Sequence, residues 1–203
     1  MLRIAVFVSG GGSNLQNIID SINDGDLKDV KIARVVASKA GTKAEQRARK
    51  HQIPVSIYSL TDDANTAILL DQLTADSVDM LVLAGYLQKI SPQLIRAFPD
   101  RIINIHPALL PKHGGKGMYG IRPHEAVLAA GEKFTGATVH TVNEEYDQGQ
   151  ILLQREVKVL PEDDAESLQA RVMSEAEKII LPQVIQKFAL AKKAGAAPFV
   201  SDI

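Results

Sequence analysis

The chain is 203 residues long and 45% hydrophobic, and its 23 basic and 24 acidic residues leave a net charge of −1. That apolar content suffices for one buried core, while the charge balance gives no electrostatic attraction to nucleic acid or to an anionic membrane surface. The absence of cysteine excludes disulfides, thiolate nucleophiles and cysteine-ligated zinc. The chain begins directly with a strand-like run, without the charged-then-apolar layout of a signal peptide. No apolar run approaches the ~20 residues that span a bilayer. A soluble, cytoplasmic protein is expected.

Leu2 to Val8 is a near-continuous apolar run, as in a strand covered on both faces. Ser9-Gly10-Gly11-Gly12-Ser13-Asn14 breaks it, and Leu15, Ile18, Ile19 and Ile22 then recur at helical spacing. A second strand over Val30 to Ala37 leads into an Ala/Arg/Lys-rich helix at 43–50. A third over Ile53 to Leu60 leads into a helix at 62–75, and a fourth covers 80–84. Ser91-Pro92 starts another helix, with proline in its first turn. Arg101 to His106 is the fifth strand, stopped by Pro107, which cannot donate to a ladder. The loop 111–121 carries Gly114, Gly115, Gly117 and Gly120 and has the character of a mobile lid. A helix at 122–130 follows, then two β-rich runs, 134–142 and 150–159, at hairpin spacing. Residues 163–192 form one long helical pattern with a kink expected at Pro182.

Strand–helix alternation of this kind implies right-handed crossovers. The expected fold class is α/β: a doubly wound, mostly parallel sheet with an antiparallel addition in the C-terminal half. One domain is expected over 1–203, without internal repeats or a linker.

Asn104-Ile105-His106-Pro107 closes the fifth strand. Side chains two apart on a strand leave the same face, so Asn104 and His106 point the same way. They do so at a strand's carboxyl end, where open α/β sheets keep their ligand crevices. An amide can polarise a carbonyl and an imidazole can move a proton, and both are too polar to fill an Ile-rich strand unpaired. The glycine run 10–12 opens a helix directly after the first strand, which suits a single phosphate group; the alternative is a tight turn with Ser13 or Asn14 as N-cap. It lacks a P-loop lysine, and Leu15 occupies the third glycine position of the dinucleotide fingerprint.

Asn143-Glu144-Glu145-Tyr146-Asp147-Gln148-Gly149 reads either as a solvated acidic turn or as the source of a third group, Asp147, beside Asn104 and His106. Among the other histidines, His51 sits at a helix end where it complements the dipole, and His113 lies in the glycine-rich loop, exposed to solvent. His124 and His140 are either structural or supports of the site. No His/Asp/Glu set has metal-ligand spacing, so no metal is expected, and no Gly-x-Ser-x-Gly elbow signals a serine nucleophile.

Taken together, Ser9-Gly10-x-Gly12-Ser13-Asn14-Leu15, Leu83-Ala84-Gly85-Tyr86, Asn104-Ile-His106-Pro107-x-Leu109-Leu110-Pro111 and Val139-His140…Asp147-x-Gly149 resemble the phosphoribosylglycinamide formyltransferase family. These are folate-dependent formyltransferases of purine biosynthesis. The resemblance runs in order along nearly the whole chain and implies the formyltransferase fold. The Asn-x-His-Pro segment identifies the superfamily, and the Ser-Gly-x-Gly-Ser-Asn-Leu segment its glycinamide ribonucleotide branch.

The resemblance implies a catalytic trio of Asn104, His106 and Asp147, with His106 protonated as the oxyanion forms. It implies substrate phosphate and ribose contacts at Gly12, Ser13, Asn14 and Glu177. It implies a folate pocket from Leu87, Gln88, Lys89, Ile90 and Asn104 together with Asn143, Glu144, Glu145, Tyr146 and Asp147. Thr138 and His140 would stand behind these groups. The co-substrate would be 10-formyltetrahydrofolate and the acceptor phosphoribosylglycinamide. Residues 1–100 would supply the phosphate half and 101–203 the catalytic and folate half.

The chain departs from the family in three places. Leu87-Gln88 stands where members often carry Met-Arg, the arginine usual early in the third helix has no counterpart in 62–75, and the loop from Gly114 to Tyr119 is longer than usual. Two alternatives remain on the sequence: a formyltetrahydrofolate hydrolase, and a phosphometabolite-binding protein without catalysis.

Overall fold

The apolar runs fold as β1 (Leu2–Val8), β2 (Val30–Ala37), β3 (Val55–Ile57), β4 (Met80–Leu83) and β5 (Ile102–His106), all paired in parallel. β6 (Phe134–Thr141) and β7 (Ile151–Lys158) are added antiparallel, giving one seven-stranded sheet in the order β3-β2-β1-β4-β5-β6-β7. The computed structural model describes residues 1–59 and 62–196. The helices are α1 (Ser13–Asn23), α2 (Lys43–Lys50), α3 (Asp63–Ala75), α4 (Pro92–Ala97), α5 (Arg122–Ala129), α6 (Ala165–Val172) and α7 (Lys178–Lys193). None among the described residues is long and apolar enough to cross a membrane.

Strand alternation divides the core into two layers. Ile4, Val6 and Val8 of β1 pack with Leu15 and Ile18 of α1, Ala44 and Ala48 of α2, and Val184 and Phe188 of α7. Ala5 and Phe7 face the other way, against Leu69 and Leu73 of α3 and Leu94 of α4. Both faces of β1 are thus covered, as its unbroken apolar run requires. The chain winds outward from β1 to β3 and then returns to place β4 on the other side of β1. That reversal leaves a crevice beyond the carboxyl ends of β1 and β4, where the Ser9 N–H donates to the Gly85 carbonyl at 3.1 Å.

Two elements differ from expectation. The third strand is limited to Val55–Ile57 instead of 53–60: it is an edge strand with Pro54 before it, and its expected last residue, Leu60, lies outside the described residues. The long helical pattern is interrupted before Pro182, by a π turn at Met173–Glu177 between α6 and α7. Pro182 sits inside α7 and has no N–H for the Lys178 carbonyl, which accepts instead from Asn17 Nδ2 at 2.8 Å. The extra residue in the π turn rotates the helix between its halves, and Ala176 and Glu177 are buried there.

Candidate active site

One cavity of about 770 Å³ lies over the crevice. Its walls are the glycine loop 10–14, the segment 83–90, the end of β5, the loop 115–120, the turn 142–147 and one face of the helix leading into the π turn. Asn104 and His106 both open into it, as their spacing on β5 requires. Cross-strand register sets Asn104 opposite His140 and His106 opposite Thr138. Thr138 does not reach the cavity. Its hydroxyl donates to the Ala108 carbonyl at 2.7 Å and accepts from the Leu110 N–H at 3.1 Å, which pins the turn after Pro107.

The imidazoles are oriented by acceptors that have no proton of their own. His140 Nδ1 lies 2.7 Å from the Thr141 carbonyl, so the proton sits there, and Nε2 accepts from Asn104 Nδ2 at 3.1 Å. His106 Nε2 donates to the His113 carbonyl at 2.9 Å, which leaves Nδ1 as its basic nitrogen. That nitrogen faces Asp147 Oδ2 at 3.6 Å, while Asp147 Oδ1 lies 3.4 Å from His140 Nε2. The Gly115 N–H donates to Asp147 Oδ2 at 2.8 Å. The Asp147 carboxylate therefore lies between the two rings, and it does so from a left-handed backbone, φ 56°. Such a conformation in a non-glycine residue is uncommon and recurs at functional sites. A Cβ on Gly149 would collide with the Thr141 carbonyl, so only glycine lets the turn close against the end of β6.

Burial pushes the pKa of His106, 3% exposed, below its ordinary value, against the opposing charge of Asp147 and the His113 carbonyl. Burial thereby favours the neutral imidazole over the imidazolium. Burial also works against the Asp147 carboxylate, yet the neighbouring His140 and His106 rings and the Gly115 amide together hold its pKa below the ordinary value. An amide donor, a neutral imidazole and a carboxylate facing one cavity can polarise a carbonyl, accept a proton and stabilise the resulting cation.

The glycine loop is an uncapped helix start. Gly12 is the N-cap of α1 at φ 73°, without a side-chain cap, and no acidic residue stands in the first turn. A Cβ on Gly12 would lie 2.8 Å from Ala44 Cα, so glycine is required here by the packing of α2 as well as by the backbone angle. Neither Ser13 nor Asn14 caps the helix. The Asn14 side chain turns inward, where its Nδ2 donates to Glu177 Oε2 at 2.7 Å. Glu177 is 5% exposed, and burial pushes its pKa up to about 7 against that bond. Among the described residues no group of His, Asp and Glu is arranged to hold a metal.

The formyl transferase family model matches residues 2–185. The chain is 41% identical over 192 residues to the phosphoribosylglycinamide formyltransferase of Haemophilus influenzae, an alignment covering 93% of this chain and 87% of that protein. It belongs to the formyl transferase family. The chloroplastic phosphoribosylglycinamide formyltransferase of Arabidopsis thaliana is 43% identical over 187 residues, 90% of this chain but only 64% of the plant protein's length. The crystal structure of glycinamide ribonucleotide transformylase 1 from Symbiobacterium toebii superposes with a TM-score of 0.85 at 35% identity, over 94% of this chain and 89% of that one. The seven-stranded mixed sheet is the formyl transferase fold.

Every residue to which the family resemblance gives a role in the site reaches the cavity except Thr138: Gly12 to Asn14, Leu87 to Ile90, Asn104, His106, His140, Asn143 to Asp147 and Glu177. At the rim Leu87 and Tyr146 are 50% and 40% exposed, and the Lys89 ammonium lies 5.6 Å from the Tyr146 ring centroid. His113 is not exposed to solvent as expected. Its side chain is half-buried, 17% exposed, with Nε2 3.5 Å from Glu132, and its carbonyl accepts from His106. His124 is fully buried and neither ring nitrogen has a partner among the described residues; burial, with His106 nearby, pushes its pKa down to about 4. The loop 111–121 is held by Gly115 on Asp147 and by Gln169 Nε2, which donates to the Gly120 carbonyl at 3.0 Å. Sequence reasoning missed the backbone roles of His113 and Gly115, which leave no trace in residue type. It also missed the wall formed by Glu166, Gln169, Ala170 and Met173, although their three- and four-residue spacing up to Glu177 marks one helix face.

Proposed function

We propose that this chain transfers the formyl group of 10-formyltetrahydrofolate to the amine of 5′-phosphoribosylglycinamide, a step of purine biosynthesis. The reading is supported chiefly by one cavity that joins an uncapped helix start to an amide, an imidazole and a carboxylate at the end of β5. The helix start is suited to the substrate's phosphate, and Glu177, beside Asn14, to its ribose. The rim of Leu87, Lys89 and Tyr146 is suited to the folate. A hydrolase acting on the formyl-folate alone has no use for the phosphate loop.

In the proposed reaction the neutral amine attacks the formyl carbon, and an α-amino pKa near ~7.7–8 makes that form accessible at physiological pH. The carbonyl pair becomes an oxyanion on which Asn104 Nδ2 places a donor, an interaction worth roughly 2.7–4 kcal/mol. His106, neutral at rest, accepts the proton that the amine sheds, and the negative charge of Asp147 stabilises the imidazolium formed. Collapse breaks the bond between the formyl carbon and folate N10, and the proton passes to N10. No acyl-enzyme forms, so much of the rate comes from holding the two substrates end to end.

The working unit is proposed to be a single domain over 1–203, with 1–100 supplying the phosphate loop and 101–203 most of the chemistry. Its partners are the two small-molecule substrates, with no metal, nucleic acid or membrane in the reaction and a cytoplasmic location. Thermal unfolding tests the two-substrate reading: phosphoribosylglycinamide alone and a non-reactive folate alone should each raise Tm. Stabilisation by only one of them would leave a simple binding protein.

A further inference from the structure

Arg47 is not among the residues that the family motifs mark, yet it is the side chain that braces the glycine loop from behind. Its Nε–H donates to the Gly11 carbonyl at 3.1 Å and its Nη1–H to Gln16 Oε1 at 3.0 Å. One turn earlier, the Ala44 N–H of the same helix donates to the Gly10 carbonyl at 3.0 Å. In a planar trans peptide the carbonyl and the next N–H point in opposite directions. Two carbonyls held against α2 therefore turn the Gly11 and Gly12 N–H groups away from α2, on the side where the cavity lies. With Gly12 left-handed and Ser13 beginning α1, the successive amides form a concave nest for an anion. Among the described residues no carboxylate lies within ion-pair distance of Arg47. Its positive charge is left uncompensated directly behind the loop.

We infer that Arg47 is a positioning residue for the substrate's phosphate: it fixes the amide nest by holding the Gly11 carbonyl, and its unpaired charge favours a dianionic phosphate over an uncharged hydroxyl. This rests on the reading that the glycine loop receives the phosphate. The guanidinium suits the role because it bridges Gly11 and Gln16 with fixed geometry.

The test compares phosphoribosylglycinamide with the unphosphorylated glycinamide riboside in the wild-type enzyme and in Arg47→Met, which keeps the long stem packed near Gly12. The wild type should prefer the phosphorylated substrate strongly in kcat/KM. Arg47→Met should raise KM for that substrate about tenfold, the scale of losing one charge-assisted interaction, with kcat and the formyl-folate KM little changed. The riboside should be turned over as before, so the preference also falls about tenfold. Arg47→Lys, which restores the charge without the two-point bridge, should recover part of the preference. If the wild type itself shows no preference, the phosphate reading of the loop is wrong and this inference falls with it. If the wild type discriminates and Arg47→Met discriminates equally, the loop reading stands and the role of Arg47 is refuted. Equal losses on both substrates with a lowered Tm would reduce Arg47 to a structural brace.

Discussion

Replacing Glu177 with glutamine should change the way folding stability depends on pH. The carboxyl is 5% exposed, accepts from Asn14 Nδ2, and has its pKa pushed up to about 7 by burial. In the unfolded chain it returns to an ordinary value near 4.5. Between those values the native protein binds more protons than the unfolded chain, so this contribution is fully present below about 4.5 and is lost as pH rises through about 7. At about 1.4 kcal/mol per pH unit, the loss across that window comes to about 3 kcal/mol. The substituted amide keeps the shape and an acceptor for Asn14 but cannot ionise. The assay is urea unfolding of both proteins at a series of pH values across this range, read as the difference between them. His106 and His124 carry lowered pKa values and give the opposite slope, but they are common to both proteins and drop out of the difference. The wild type should lose stability relative to Glu177→Gln as pH rises. Parallel curves would refute the reasoning, since the carboxyl would then be titrating no differently in the native and unfolded states.

His106→Ala and Asn104→Ala should each lower kcat by roughly two orders of magnitude with little change in KM, and the double variant should cost less than the product of the two, because both act on the same tetrahedral intermediate, Asn104 on its oxyanion and His106 on its amine proton; steady-state kinetics checks both points. In Asp147→Asn kcat should fall. The acidic limb of the pH–rate profile should also move to lower pH, because His106 loses the negative neighbour that opposes its burial; an unmoved limb would make Asp147 a turn residue. Gly12→Ala, which sets a Cβ against Ala44 at a left-handed position, should lower Tm and raise KM for phosphoribosylglycinamide while the formyl-folate KM stays near normal.

Much of the fold is legible because buried strands and amphipathic helices differ in period. β1, β2 and α2 have the limits that their residue patterns imply, since polar and glycine residues such as Ser9-Gly10, Ser38-Lys39 and Gly41-Thr42 separate them. The third strand is over-read from sequence because its residues favour β structure even where an edge position supplies no further partner. The π turn at Met173–Glu177 escapes a sequence reading because an extra residue in a helical turn leaves no mark in residue type, whereas Pro182 announces itself.

The site is legible in its side chains and not in its backbone. Asn104 and His106 share a face by strand geometry alone. What orients them is a set of main-chain partners, the His113 carbonyl for His106 and the Thr141 carbonyl for His140, which any residue could supply. Asn14 shows a different limit. Its helix-start position suggests a cap, but a buried Glu177 lies 2.7 Å away across the fold, and a long-range carboxylate outcompetes a local turn for the amide. The same holds for Gly12, whose need to be glycine is set by α2 and not by local turn chemistry alone.

Following 10-formyltetrahydrofolate with and without phosphoribosylglycinamide is the most direct test of the proposed reaction. The expected result is negligible consumption with the folate alone, and on adding the amine, one formylated product formed for each formyl-folate consumed. Consumption at the same rate without the amine, with release of formate, would contradict it and make water the acceptor.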